Sequence, residues 1–351
     1  MFETINNSKF ASDLPRNNSF SESDWRILAK FWHPIAFSHE IKNEPVKAKL
    51  LDVDLVIYRT SAGVSVAKDI CPHRGTKLSA GWISDDKLVC PMHGICYDHL
   101  GKCTKIPSVN KKNTRIPPRL KLQSLKVEER YGIVFACLSE DPIWPLPVWP
   151  GINNPKLKNL HFPTDTWHAA ASRHVENFND VAHFPWVHKE TFGGYEDDAI
   201  ADYEVEHTGY GLAFDLPYLE EGNRFPDEVE GLERNVIYRY ELTFPFSTII
   251  MISPIDSDYV QYFADTVCPV SAYETKIFQM ATDTTGNPNL EILTLETSMI
   301  NNEDKDMVEG QHPEDLPLDL MEEIHIPADR MSVEFRRSLS KKFGLGSPLV
   351  N

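Results

Sequence analysis

The sequence predicts an α+β protein of two domains: a small antiparallel β domain over 23–140, and a larger domain over 156–351 that mixes antiparallel strands with helices. Three observations carry that expectation. Short alternating apolar runs bounded by turn residues fill the first third of the chain. Pro142, Pro145, Pro147, Pro150 and Pro155 crowd 141–155, which suits a stiff connector because proline fixes φ and removes a backbone donor. Beyond it, a helix-spaced segment near 177–183 is followed by strand-like runs from 201 to 296 and a last helix over 328–342.

Composition sets the bounds. With 351 residues, 41% hydrophobic and 25% charged, the chain has room for two ordinary globular cores. Its best apolar run, Tyr131 to Leu138, is strand length and far short of a membrane span. Glu3, Asn6 and Asn7 replace the basic cap and apolar core of a signal peptide, so a cytoplasmic protein with no membrane partner is expected. A net charge of −17 argues against nucleic acid, which needs a basic face. The charge is uneven: between Gly101 and Arg130 nine cations face two acids, a local balance of +7 that leaves −24 elsewhere. Such a stretch is either a solvated face or a surface that steers an acidic electron carrier.

In chain order, residues 1–22 read as a flexible tail. Ser21 or Ser23 caps a short helix through Trp25, Leu28 and Phe31. Strands are expected over Ala48 to Tyr58 and, after the turn Ser61-Ala62-Gly63, over Val64 to Ile70. Lys87 to Val89 comes next, then a hairpin turn at Tyr97 to Gly101 before Lys102 to Ile106. Leu125 to Glu128 and Gly132 to Leu138 close the sheet.

Into this β framework are set Cys71-Pro72-His73-Arg74-Gly75 and, with sixteen residues separating His73 from Cys90, Cys90-Pro91-Met92-His93-Gly94. A Cys₂His₂ set can hold zinc, but zinc knuckles usually pair like with like, whereas each loop here mixes one thiolate and one imidazole. Two thiolates on one iron and two imidazoles on the other is the ligation of a Rieske [2Fe–2S] centre. The stretch resembles the Rieske signature of the ring-hydroxylating and demethylating oxygenases. That family usually has an aromatic residue and a Trp where this chain has Met92 and Ile95. Cys96, Cys103, Cys137 and Cys268 lack disulfide-like spacing and read as reduced thiols.

The second motif spans Glu176 to His188. Asn177, Asp180 and His183 fall on one helix side, and His188 lies about 140° away at helical spacing. Pro185 is expected to end the helix and turn both imidazoles toward one metal. Two histidines and a carboxylate form the facial triad of non-haem Fe(II) oxygenases, and D-x-x-H-x₄-H resembles that family's iron motif. The stretch Glu303 to Gln311 resembles the family's late helix, E-D-x-x-x-V-E-x-Q, which places the third ligand at Asp304 and leaves Glu303 and Asp306 as a charged helix face. The resemblance further implies that Asp180 bonds an iron-ligand histidine and a cluster histidine of a neighbouring subunit, within a ring of three, with Asn177 in support.

Strands are read over Ala201–His207, Gly211–Leu216, Asn235–Phe244, Thr248–Ile252, Asp258–Val267, Lys276–Thr282 and Leu290–Glu296, with turns such as Gly222-Asn223 between them. The resemblance implies a helix-grip domain: a curved antiparallel sheet holding helices around a pocket. Phe184, Trp186, Phe246 and Met251 are candidates for its lining. No G-x-G-x-x-G follows a strand, so electrons from NAD(P)H must come through a separate reductase, with or without a ferredoxin. The chain resembles the homo-oligomeric branch of vanillate and dicamba O-demethylases, methylxanthine N-demethylases and saxitoxin-pathway hydroxylases. That implies a terminal oxygenase, with one Rieske cluster and one Fe(II) per chain, acting on O₂ and a small cyclic or aromatic substrate by hydroxylation or demethylation. Aromatic cis-dihydroxylation is the alternative; a Rieske electron carrier, which needs no open iron site, is a weaker one.

Overall fold

The computed structural model describes residues 14–109, 115–189, 191–193, 199–221 and 233–346. The chain divides into two compact units, 1–143 and 144–351.

In the first unit Ser21 caps the helix Glu22–Leu28, its hydroxyl accepting from the Asp24 N–H, one of the donors a helix start leaves open. Trp25, Leu28 and Phe31 are buried, as their spacing implies. Ser19 donates to Asp52 through both its N–H and its hydroxyl, so the chain is anchored before residue 22, where the loose tail was expected to end. Three small antiparallel sheets follow. One orders His33–Phe37, Ile133–Cys137 and Lys126–Arg130; the second, Val46–Leu50, Val53–Thr60 and Gly63–Lys68; the third, Trp82–Ser84, Lys87–Val89, Cys96–Tyr97 and Cys103–Lys105.

Ala48 to Tyr58 is therefore two strands rather than one. Leu51 and Asp52 both take left-handed φ, 50° and 62°, and join Leu50 to Val53. Two left-handed centres give the turn whose twist matches its flanking strands, and without a glycine the sequence hid it. Val56, Tyr58, Leu78, Leu88 and Ile95 bury together with Cys71 and Cys90. The two ligand loops thus stand on a packed base.

The second unit is an eight-stranded antiparallel sheet. Its order is Leu160–His161, Glu274–Asp283, Gln261–Ser271, Ser247–Pro254, Glu233–Thr243, Gly211–Glu221 and Glu206–His207, with Asp165–Trp167 also pairing Glu274–Asp283. The helix Ala171–Phe178 packs on the two neighbouring strands Gln261–Ser271 and Glu274–Asp283 and on the helix Leu290–Glu309. This is the helix-grip arrangement, and the C-terminal helix Arg330–Arg337 runs on into a π turn, Ser338–Lys342.

Leu290–Glu296 is not a strand but the opening turns of the Leu290–Glu309 helix. Asn289 caps it, its side chain accepting from the Ile292 N–H, and this local cap outweighs the β-like apolar run. The strand expected over Ala201–His207 shrinks to Glu206–His207. The turn at Gly222-Asn223 lies outside the described residues.

Candidate metal centres and substrate pocket

The two loops of the first unit have the same backbone design. The Cys71 N–H donates to Thr76 O and the Gly75 N–H to Cys71 O; in the other, Cys90 donates to Ile95 O and Gly94 to Cys90 O, all at 2.8–2.9 Å. Gly75 and Gly94 take φ of 75° and 65°, which closes each loop where a Cβ is disfavoured. Both cysteines are buried while His73 and His93 are exposed, their rings 4.6 Å apart edge to face. Burial and the nearby Cys71 thiol push the Cys90 thiol up, and the Met92 and His93 N–H groups work the other way. Those N–H groups, with the Tyr97 hydroxyl 3.2 Å from Cys71 Sγ, are donors that suit thiolate sulfur. The residues fit a Rieske cluster, inner thiolates on one iron and outer imidazoles on the other. Lys111 and Lys112 of the basic stretch lie outside the described residues, and Lys102, Lys105, Arg115, Arg119, Lys121 and Lys126 are exposed.

In the second unit the expected single helix through His183 does not form. The helix Ala171–Phe178 stops at Asn179, whose amide folds back onto Val175 O at 2.7 Å. After a turn, His183 becomes the cap of a one-turn helix, Phe184–Val187, with Pro185 in its first turn. Proline begins this helix rather than ending one, because its missing N–H is needless in a first turn. His183 and His188 then bracket a single turn, and their Nε2 atoms come within 3.1 Å.

The other faces of these rings are fixed by carboxylates. His183 Nδ1 donates to Asp180 at 3.0 Å and His188 Nδ1 to Glu303 at 2.8 Å; Thr191 also donates to Glu303. Each Nδ1–H donation leaves a lone pair on Nε2. Two lone pairs that close repel unless a cation lies between them. Asp304 Oδ1 stands 3.4 and 3.3 Å from the two Nε2 atoms, buried and without a hydrogen bond. The three ligand atoms lie within 4.8 Å of one another. Electrostatics agree: burial works against charge on His183, yet the neighbouring carboxylates of Asp180 and Asp304 raise the imidazole to about 9. Burial likewise opposes ionised Asp304, and the two histidines hold it well below the usual carboxylate range. The spot stabilises a cation, and the donor set suits Fe(II).

Glu303, read from the sequence as part of a charged face, is thus a positioning residue for His188. Asn177 lines the pocket beside the three ligands, its side chain making no hydrogen bond to described residues. Of the apolar candidates, Phe184 lines the pocket. Trp186 is exposed, and Phe246 and Met251 are not in the lining. Strand alternation sends Ile250 and Ile252 inward and Met251 to the opposite face. Trp167, Phe178, Phe192, Tyr238 and Phe263 make up most of the remaining aromatic wall.

Residues 31–126 match the model of the Rieske [2Fe–2S] domain and residues 167–343 that of the vanillate O-demethylase oxygenase C-terminal domain. The chain is 28% identical over 321 residues to methylxanthine N1-demethylase NdmA of Pseudomonas putida, covering 89% of this chain and 88% of that one. It is 30% identical over 191 residues to the vanillate O-demethylase oxygenase subunit of Pseudomonas sp. (strain HR199 / DSM 7063), about half of each chain. The structure of NdmA with caffeine superposes with a TM-score of 0.80 at 26% identity, over 92% of both chains. Dicamba monooxygenase bound to dicamba shares the fold, with a TM-score of 0.75 at 20% identity, covering 91% of this chain and 98% of that one.

Proposed function

The chain belongs to the Rieske oxygenases with a vanillate O-demethylase-type C-terminal domain, and from that premise we propose that it is a terminal oxygenase that demethylates or hydroxylates a small ring by monooxygenation. Rieske [2Fe–2S] and Fe(II) are its cofactors. The observation that carries the reading is the convergence of His183 Nε2, His188 Nε2 and Asp304 Oδ1 at an aromatic-walled cavity. Three protein ligands would leave a bound Fe(II) positions open for O₂ beside a substrate.

Cys71, Cys90, His73 and His93 would hold the cluster, and His183, His188 and Asp304 the Fe(II). Bound there, iron would supply O₂ activation and the cluster one-electron transfer. The chain's own residues do the rest. Asp180 and Glu303 hold the two Nδ1–H groups, which keeps both Nε2 atoms free to ligate. Phe184, Phe192 and Tyr238 exclude water and position the ring. For a methoxy substrate the balance is R–OCH₃ + O₂ + 2e⁻ + 2H⁺ giving R–OH, formaldehyde and water.

Electrons come from NAD(P)H through a partner reductase, which the exposed cations between Lys102 and Lys126 suit. We place electron transfer between neighbouring subunits of a homotrimer, His73 and His93 of one facing Asp180 of the next. Supporting this, both imidazoles are exposed and the Asp180 side chain is about a quarter exposed (26%). Six buried cysteines, none in a disulfide, suit a cytoplasmic protein, and no described helix is long and apolar enough to cross a membrane. We assign the cluster domain to 23–140 and the catalytic domain to 156–351, joined by 141–155.

The test is a single turnover of reduced holoenzyme with O₂ and methoxy- or N-methyl-ring substrates. Formaldehyde in step with product, or one ¹⁸O atom in a hydroxylated product, is expected. A cis-diol carrying both oxygen atoms points to dihydroxylation, and electron transfer without O₂ consumption to a carrier.

A further inference from the structure

The cavity beside the iron ligands has a polar sector that the proposed chemistry leaves unused. In the strand Gln261–Ser271, alternation puts Gln261, Phe263 and Asp265 on one face. Phe263 lines the cavity and Asp265 bonds His174, which lines it too. Gln261 lines it as well, is 4% exposed, and makes no side-chain hydrogen bond to described residues. On the facing helix, Leu293, Thr297, Ile300 and Asp304 form the inward stripe. Thr297 is 7% exposed, and its hydroxyl also has no described partner.

The neighbouring polar groups, by contrast, are committed to one another. Asp265 is bound by His174 Nε2 at 3.1 Å and by the Gln279 amide at 3.0 Å. Gln279 and Asn301 exchange hydrogen bonds at 3.1 and 2.8 Å. Once His174 gives Nε2 to Asp265, its Nδ1 remains without a partner. Buried polar groups of a folded protein are nearly always hydrogen-bonded. The buried, unpartnered Nδ1 of His174, with the uncommitted polar ends of Gln261 and Thr297 at the same cavity, marks where a ligand supplies the missing partners.

Charge narrows the ligand. Among the described lining residues there is no Lys or Arg, and Glu296 adds an acid besides the ligand Asp304. Apart from the Fe(II) that His183, His188 and Asp304 would hold, the described lining offers a substrate carboxylate no cation, and an unpaired buried charge is costly. Resting on the reading of this cavity as the oxygenase pocket, we propose that the substrate is an uncharged planar ring bearing amide or carbonyl groups, recognised by Gln261, Thr297 and His174. Benzoate-type anions are disfavoured. The aromatic wall takes the faces of the ring, and the amide of Gln261, donor and acceptor at once, pairs with a carbonyl or ring N–H on its edge.

Equilibrium binding to the oxidised holoenzyme, without reductant, tests this independently of turnover. Calorimetric titration uses caffeine, a neutral imide ring, and the matched pair vanillamide and vanillate, which differ by an uncharged amide against a carboxylate. The neutral ligands should bind at least about tenfold more tightly than vanillate, and Gln261→Leu and Thr297→Val should each weaken them by about tenfold. Iron and sulfide content and the unfolding temperature of each variant, unchanged, show that the fold is kept. Gln261→Arg should raise vanillate affinity. Vanillate binding as tightly as vanillamide, both substitutions leaving Kd within about twofold, or no neutral ring binding at all overturns the proposal. Tight neutral binding with no formaldehyde in the turnover assay instead leaves it standing and defeats the demethylation reading.

Discussion

The two ligand sets achieve convergence in opposite ways. Around Cys71 and Cys90 the chain repeats one loop twice, each closed by the same backbone hydrogen bonds and the same left-handed glycine, between Cys71 and Ile95. Around His183 and His188 nothing repeats. A helix stops, a one-turn helix intervenes, and the third group arrives from Asp304 in a helix more than a hundred residues later. The first set keeps its imidazoles exposed, which suits electron exchange; the second encloses its ligands in a cavity, which suits chemistry on a bound molecule. A centre that only passes electrons can be built from local loops, whereas one that must enclose substrate needs walls from distant elements.

Chelation should separate the two most strongly. Treating the protein with a ferrous chelator should abolish turnover while the visible spectrum of the cluster remains, and added Fe(II) should restore activity. Loss of both together would show that the centres are not independent.

Acid should act on the β unit. His33 is fully buried, and burial pushes it down to about 4 although its ring also bonds Leu28 O. The unfolded chain therefore takes up this proton first, so His33's contribution is present above pH 6.5 and lost as pH falls toward 4. The shift corresponds to about 3 kcal/mol. His33→Gln should flatten that part of the stability curve, followed by denaturant unfolding of the cluster colour.

Smaller changes touch one centre each. Asp180→Asn and Glu303→Gln should each cost about 10–100-fold in activity or iron affinity through the histidines they orient, with sulfide content unchanged. Tyr97→Phe removes the hydroxyl beside Cys71 Sγ and should lower the cluster's reduction potential, since hydrogen bonds to cluster sulfur raise it. Voltammetry measures that shift; substrate affinity should not move.

Legibility followed the same division. The Cys-Pro-His loops were readable because local spacing fixes local geometry, and Asp304 stood out through the residues around it. Glu303 was not readable as a partner of His188, since only the packing of two distant elements brings them to 2.8 Å. Gln261 and His174 were silent for the same reason. Leu290–Glu296 misled because Leu290, Ile292, Leu293 and Leu295 look like strand residues; Pro288 and the Asn289 cap were the available corrective signals. Pro185 was read as a breaker when its position in a first turn makes it a starter.

The most direct measurement is the iron and acid-labile sulfide count of the protein purified anaerobically, beside His183→Ala and Cys90→Ser, with reduced-state EPR of all three. The account predicts three irons and two sulfides per chain with a Rieske signal in the parent, two and two with the signal kept in His183→Ala, and one iron without sulfide or signal in Cys90→Ser. A parent with zinc and no Rieske signal, or a His183→Ala variant that keeps all three irons, would contradict it.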